Sequence, residues 1–301
     1  MKIILANDGI EDQAKKALQE AGFEVDTNKY EGEALLQRLA EVDAVVVRSA
    51  TKLRNPEIDA GAAGNLKLII RGGVGVDNIN VDYAESKGIM VRNTPAASSN
   101  AVAELVLAHM LANCRHIYDA TTTMRQGKWL KKEYPGCELQ GKTLGLIGYG
   151  RIGQRLGDIA IALGMKVIFH DLQPDIPAAV IAKRKSKEEV LREADFLALL
   201  IPSNVNGKPE IGAEEIAMMK KDAYIFNCAR GGIVDEDALV DAIEAGKLRG
   251  AGGDVFATEP PTNQRLLSCP HITLTPHIGG ATPEAQARIG DEIVAIVKEN
   301  L

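Results

Sequence analysis

Three residues in the C-terminal third have side chains that could do chemistry together. They are Arg230 in NCARGGIVDE, Glu259 in DVFATEPP and His277 in TPHIGG. Each sits among Gly and Pro, where a chain turns at the end of a strand. All three follow a glycine-rich segment, Gly148-Tyr149-Gly150-Arg151-Ile152-Gly153. A guanidinium, a carboxylate and an imidazole behind such a loop can hold a 2-oxo or 2-hydroxy acid beside a nicotinamide ring. They can also manage the proton that accompanies a hydride. His277 suits the exchange at the C2 oxygen, because imidazole titrates near neutrality. Glu259 can hold the ring in one orientation and favour its protonated form. Arg230 can grip the substrate carboxylate through two N–H groups and polarise the C2 carbonyl. Lysine lacks that fork. Taken singly, these are a surface cation, a turn residue and a structural histidine; it is their company that points to catalysis.

The glycine-rich segment needs its context to mean anything. Thr143–Ile147 reads as a buried strand, a helix opens at Arg151, and a second strand spans Lys166–His170. In that setting Gly148 allows the tight turn, Gly150 lets backbone approach a pyrophosphate, and Gly153 lets helix pack on strand. The helix N-terminus offers free N–H groups to the phosphates. Asp171 ends the second strand, where a carboxylate accepts from adenosine ribose hydroxyls and repels a 2′-phosphate. Its neighbours Leu172 and Gln173 supply no cation, which points to NAD over NADP.

The elements that must position these groups alternate between short apolar runs and amphipathic runs. Strands are expected at Lys2–Ala6, Ala44–Val47, Leu68–Ile70 and Met90–Arg92, then at Thr143–Ile147, Lys166–His170, Phe196–Leu200, Ala223–Asn227, Gly250–Asp254 and Ile272–Leu274. Helical patterns fill the gaps: Glu11–Ala21, Gly32–Ala40, Val81–Lys87, Arg151–Leu163, Lys187–Ala194, Ala213–Met219 and Asp235–Ala245. Such alternation predicts an α/β protein with parallel sheets. A boundary is expected near Thr94–Asn100, where Pro95 stops a strand and Ser98, Ser99 or Asn100 can cap the next helix. That helix, Ala101–Ala112, is apolar on most faces and should be buried. The last helix, Pro283–Leu301, has no strand beside it and should return to the first domain. The expected domains are 1–97 with 281–301, and 98–280.

At 301 residues the chain can build two domains. A hydrophobic content of 46% with 25% charged residues marks a packed protein. The net charge of −6 argues against bulk affinity for nucleic acid or an anionic membrane. Cys114, Cys137, Cys228 and Cys269 form no CxxC pair and read as reduced thiols in the cytoplasm. No apolar run suits a signal peptide or a membrane span, and no metal site is expected.

The segments VRSATK (47–52), RGGVGVDNI (71–79), GKWLKKE (127–133), GKTLGLIGYGRIG (141–153), NCARGGIVDEDAL (227–239), DVFATEPP (254–261) and PHIGGATPEAQ (276–286) run almost end to end. Together they resemble the D-isomer-specific 2-hydroxyacid dehydrogenases, and among these the enzymes acting on phosphoglycerate. The resemblance implies two doubly wound parallel-sheet domains, a Rossmann NAD-binding domain and a flavodoxin-like substrate domain. It implies a triad of Arg230, Glu259 and His277. It implies cofactor contacts at Gly148, Gly150, Arg151, Ile152, Gly153, Asp171, Cys228, Ala229, Arg230, Asp254 and the loop His277, Gly279, Gly280. Substrate contacts are implied at Arg48, Ser49, Arg71, Gly72, Gly73, Arg230 and His277. Val74 and Ile201 stand at cofactor positions where relatives carry a hydroxyl, so only backbone contacts are expected there. The sequence ends at Leu301, where longer relatives carry regulatory domains, and feedback by serine through such a domain is not expected.

Several functional expectations follow from these residues. A phosphorylated three-carbon acid needs cations apart from Arg230, and Arg48 and Arg71 each end a parallel strand of the first domain. Glyoxylate/hydroxypyruvate or D-lactate reduction is the alternative within the class, and an NAD-sensing, corepressor-like binding protein the alternative outside it. A homodimer is expected through Arg125–Gln140, which sets Trp129, Leu130 and Tyr134 among lysines and glutamates.

Overall fold

The structure, a computed structural model, describes residues 1–174, 176, 182–202 and 207–301. They divide into two units, Met1–Ser98 with Gly280–Leu301, and Ser99–Gly279.

The first unit contains β1 (Ile3–Ala6), α1 (Asp12–Glu20), β2 (Glu24–Asp26), α2 (Gly32–Glu41), β3 (Ala44–Val47), α3 (Asn55–Ala62), β4 (Leu68–Arg71), α4 (Val81–Ser86) and β5 (Met90–Asn93). Its sheet has the order β2-β1-β3-β4-β5, with every pairing parallel. The central strands IILA, AVVV and LIIR are apolar almost throughout because helices cover both faces. The C-terminal helix of the chain also belongs here. Its residues Ile289, Ile293 and Val297 join Ile4, Val46 and Ile70 in one core.

The second unit begins with α5 (Ser99–Cys114) and α6 (Ile117–Arg125). It continues with β6 (Thr143–Ile147), α7 (Arg151–Ala162), β7 (Lys166–His170), β8 (Lys183–Arg184), α8 (Lys187–Glu193), β9 (Phe196–Leu199), α9 (Ala213–Met218) and β10 (Ala223–Asn227). It closes with α10 (Glu236–Glu244), β11 (Leu248–Gly253), α11 (Gln264–Ser268) and β12 (Ile272–Leu274), and α12 (Pro283–Asn300) follows in the first unit. The strand order is β12-β11-β10-β9-β6-β7-β8, again wholly parallel. The order reverses at β6, which lies between β7 and β9; such a switch point is where open α/β sheets bind ligands.

Five elements went unread in the sequence, each for a physical reason. β2 buries only Val25, between two acids. α6 is a nine-residue helix that buries none of its residues. β8 has two exposed residues and α11 only five. α3 opens on Asn55-Pro56 and is held by Glu57 accepting from the Arg54 amide at 2.9 Å, a capping signal and not a hydrophobic one. The apolar helix α5 is also longer than expected. Asn100 does not cap it; its side chain bonds Glu104 and Arg155 instead.

The first sheet reverses order between β1 and β3, and one carboxylate organises that point. Asp8, just past β1, has a side chain 5% exposed. It accepts from the amides of Arg48 (2.7 Å) and Thr51 (3.0 Å), from the Thr51 hydroxyl (2.7 Å) and from Lys29 (2.6 Å). Asn78 donates to the carbonyls of Arg48 and Thr51, both at 2.7 Å, and so clamps the same loop from its other side. Burial works to raise the Asp8 pKa. The hydrogen bonds from Lys29, Thr51 and the two amides outweigh it and hold the group below its ordinary 3.8. A depressed carboxylate stabilises the fold above its unfolded pKa, and that contribution fades as pH falls through the folded value. Asp8→Asn should therefore cost about 1–3 kcal/mol at neutral pH. In denaturant titrations the gap between parent and variant should shrink below about pH 4; a gap independent of pH would show that the charge is not what holds the loop.

Candidate active site

The loop between β6 and α7 is built for close approach. Gly148 has φ 95°, and a Cβ there would stand 2.5 Å from the Leu200 carbonyl oxygen. Its amide donates to the His170 carbonyl at 2.9 Å, tying the turn to the end of β7. Tyr149 is buried and stacks on Phe169 with centroids 3.9 Å apart. Gly150 caps α7, and a Cβ there would meet nothing within 4 Å, so space stands open at this helix N-terminus. Gly153 packs on the Gly148 carbonyl, Arg151 is exposed and Ile152 half-buried. Asp171 accepts from the Tyr149 amide (2.7 Å) and the Gln173 amide (2.9 Å), so the loop orients the carboxylate. Open amides at a helix N-terminus beside an oriented carboxylate fit a dinucleotide.

Leu172 and Gln173 supply no cation beside Asp171, but a residue farther along the chain does. Arg184, delivered by β8, donates to the carbonyls of Asp171 (2.8 Å) and Gln173 (2.7 Å) and lies over the Phe169 ring. Its hydrogen bonds go to backbone oxygens and tie β8 to the turn after β7.

The remaining candidates of this unit also follow strand ends. Ile201 lies just past β9 and packs beside Gly148. Past β10, Cys228 and Ala229 are buried, and burial pushes the Cys228 thiol up, keeping it neutral. Arg230 is half-buried; its guanidinium donates to the Ala229 carbonyl at 2.6 Å, and Asn227 Nδ2 donates to the Arg230 carbonyl at 2.8 Å. A Cβ at Gly231 would lie 1.7 Å from the Phe256 carbonyl oxygen. Glycine there lets the Arg230 turn press against the loop that carries Glu259.

His277 and Glu259 meet directly. His277 Nδ1 lies 2.8 Å from Glu259 Oε2, and Glu259 Oε1 accepts from the Phe256 amide at 3.2 Å. An ionised carboxylate only accepts, so Nδ1 carries a proton and Nε2 is the nitrogen left to exchange one. Both side chains are partly open to solvent, at 39% and 38%. His277 holds a left-handed backbone, φ 53°.

That backbone is pinned by a group that sequence reasoning assigned only to the cofactor. Asp254 is 1% exposed. It accepts from the amides of Ile278 and Gly279, each at 2.8 Å, and from the Thr275 hydroxyl at 2.6 Å. Behind it lies His109 of α5, which went unnoticed within a helix read as apolar. Its Nε2 is 3.1 Å from Thr275 Oγ1 and its Nδ1 is 2.6 Å from Thr273 Oγ1. Thr275 gives its proton to Asp254, so His109 Nε2 donates to Thr275. Asn113 donates to Thr273 at 2.7 Å, and Thr273 in turn donates to His109 Nδ1. Burial lowers the His109 pKa against the pull of Asp254, which agrees with a neutral ring.

The substrate candidates of the first unit cluster on its own sheet edge. Val47 pairs with Arg71, so Arg48 and Arg71 follow one another across adjacent strand ends. Arg48 is half-buried, Ser49 exposed, and Arg71 reaches back over Gly73. A cavity of about 270 Å³ lies here, lined by Asp8, Glu11, Arg48, Gly72, Gln286 and Ile293. The Gly72 and Gly73 amides donate to the carbonyls of Val47 and Arg71, each at 2.9 Å, so any substrate contact there does not come from a free amide. Val74 is half-buried, and Gly280 falls in this unit.

A family model described as D-isomer specific 2-hydroxyacid dehydrogenase, NAD binding domain, matches residues 107–279. A hydroxypyruvate reductase from Thermotoga maritima is 44% identical over 98% of this chain and 97% of its own. The chain belongs to the D-isomer specific 2-hydroxyacid dehydrogenase family. A D-3-phosphoglycerate dehydrogenase from Methanocaldococcus jannaschii is also 44% identical, over 99% of this chain, which spans 57% of that enzyme's length. Among solved structures, a glyoxylate reductase from Paecilomyes thermophila superposes with a TM-score of 0.88 at 32% identity, covering 99% of this chain and 94% of that one.

The protein is an NAD-dependent D-2-hydroxyacid dehydrogenase, and NAD, when bound, would carry the two electrons of the reaction. His277→Ala should lower kcat by about 10²–10⁴-fold. Glu259→Gln should give a smaller loss, since Nδ1 keeps an acceptor but not a charge. Steady-state kinetics checks both; a His277→Ala enzyme with normal turnover would place the acid elsewhere.

Proposed function

We propose that this dehydrogenase oxidises 3-phospho-D-glycerate to 3-phosphohydroxypyruvate, the first step of serine biosynthesis. Arg230 takes the carboxylate and the C2 oxygen, His277 exchanges the proton, and Glu259 orients the ring. The unit with the β6–α7 loop binds NAD, and the unit with Arg48 binds the phosphate end. The observation that carries the substrate reading is Arg48, which follows β3 and lines a cavity of about 270 Å³, with Arg71 at the end of the adjacent strand. A guanidinium can bind a phosphate through two parallel N–H groups. The acids that share the cavity are engaged: Asp8 with its four donors, and Glu11 with the amides of Gln13 and Ala14 at the start of α1. Reduction of hydroxypyruvate or glyoxylate is the second reading, favoured by the Thermotoga relative that aligns over nearly its whole length. The preformed His277–Glu259 pair argues for turnover over a purely NAD-sensing role. Four free thiols support a reducing compartment, the cytoplasm.

The substrate is tested by a steady-state comparison of 3-phosphohydroxypyruvate, hydroxypyruvate, glyoxylate and pyruvate with NADH. Arg48→Ala should raise KM for the phosphorylated acid about 10- to 100-fold and leave hydroxypyruvate nearly unchanged. Equal losses, or a parent enzyme that prefers hydroxypyruvate or glyoxylate, would move the assignment to the second reading.

The enzyme is proposed to act as a homodimer. α6 buries none of its residues, and Ile117, Tyr118, Met124 and Trp129 are 54%, 66%, 53% and 78% exposed. A patch of this kind on a charged segment suits a second copy of the chain. Light scattering at micromolar concentration should return twice the 32.3 kDa chain mass, and Trp129→Lys should shift it toward the monomer. A parent protein of 32.3 kDa would refute the dimer.

A further inference from the structure

A second group of side chains, outside the dehydrogenase machinery, gathers where α5 turns into α6. His116 and Asp119 come from that corner, and His271 from the residue that leads into β12. Each offers one ligand atom, and the three atoms lie within 4.8 Å of one another. His271 Nδ1 is 3.5 Å from an Asp119 carboxylate oxygen, and the two imidazoles meet edge to face with centroids 5.8 Å apart. Among the described residues no other trio of His, Cys, Asp or Glu comes this close. Both histidines also hold a left-handed backbone, φ 52° and 65°. A residue with a Cβ resists that conformation, and such strain collects at functional positions. A shallow concavity opens beside the three, with Asn113, Tyr118 and Thr273 on its wall.

We propose that His116, Asp119 and His271 bind a divalent late first-row metal ion, zinc foremost. Two imidazoles and a carboxylate match the zinc donor set, whereas calcium and magnesium favour oxygen alone. Three protein ligands leave a fourth position, open toward the concavity, for water. In a tetrahedral zinc site adjacent ligand atoms stand about 3.3–3.5 Å apart, so side-chain rotations of about 1 Å would close this set. His116 and Asp119 lie one helical turn apart and converge by local geometry. The third ligand arrives only through the sheet, which is why the sequence raised no expectation of a metal. The bound ion would tether the α5–α6 corner to β12, at the root of the exposed segment that carries Trp129.

The test is a Co²⁺ titration of the chelator-stripped full chain. It should develop the visible d–d band of a four-coordinate nitrogen–oxygen site at one ion per chain, and Zn²⁺ should displace it. Asn tolerates a left-handed backbone, so His116→Asn and His271→Asn remove a ligand without breaking the turn. Each should weaken Co²⁺ binding at least ten-fold, as should Asp119→Asn. His277→Asn removes the His277–Glu259 pair and should leave the titration unchanged. Zn²⁺ should raise the Tm of the parent but not of His271→Asn, since only a ligand of the native state stabilises it. Absence of the band, its survival in His271→Asn, or its loss in His277→Asn would each overturn the proposal.

Discussion

The buried carboxylate of Asp254 is the constraint on which the geometry around His277 depends. A charge out of water is costly unless hydrogen bonds compensate it. Here two amides and a hydroxyl do so, and all three come from the loop around His277. The bonds fall on Thr275, Ile278 and Gly279, on both sides of the histidine. His277 is thereby held in a left-handed backbone that its own side chain would not choose. With the backbone held, Glu259 needs only one bond, at 2.8 Å, to settle the ring.

The same device appears three times. Asp8 follows β1, Asp171 follows β7 and Asp254 follows β11, and each accepts backbone amides from a neighbouring loop. Parallel strands end with their side chains and loops gathered at one edge, where turns would otherwise be free to move. A carboxylate at a strand end accepts several donors at once and converts a turn into a fixed platform. Arg48, Tyr149 and Ile278 are among the residues whose amides are bound in this way, each within or beside a candidate binding segment. The layout explains how shallow, partly exposed groups such as His277 can still be well positioned.

Much of the scaffold was legible in the sequence because its signals are local. Buried parallel strands are runs of Val, Ile and Leu, and β3 and β4 could hardly be anything else. The glycine-rich loop carried its own strand and helix, and the segments around Arg230, Glu259 and His277 named themselves by composition. Elements stabilised by few apolar contacts left no such trace: α6 buries nothing, β8 has two residues, and β2 is one valine between acids. His109 was hidden because a lone histidine in an apolar helix has no period or spacing to betray the threonines it would meet.

The sequence by itself determined the secondary-structure alternation and the dinucleotide loop, since each rests on residues within one turn or one strand of each other, and it marked Arg230, Glu259 and His277 as candidates by their local Gly- and Pro-rich segments. Only the tertiary structure decided which amides were available and which partners met. The Gly72 and Gly73 amides proved engaged with Val47 and Arg71, and Arg184 came to lie beside Asp171 through a two-residue strand. His271 joined His116 and Asp119 through the register of a sheet edge. These outcomes depend on distances between segments far apart in the chain. Such distances are set by packing and strand order, and no local pattern of residue types encodes them.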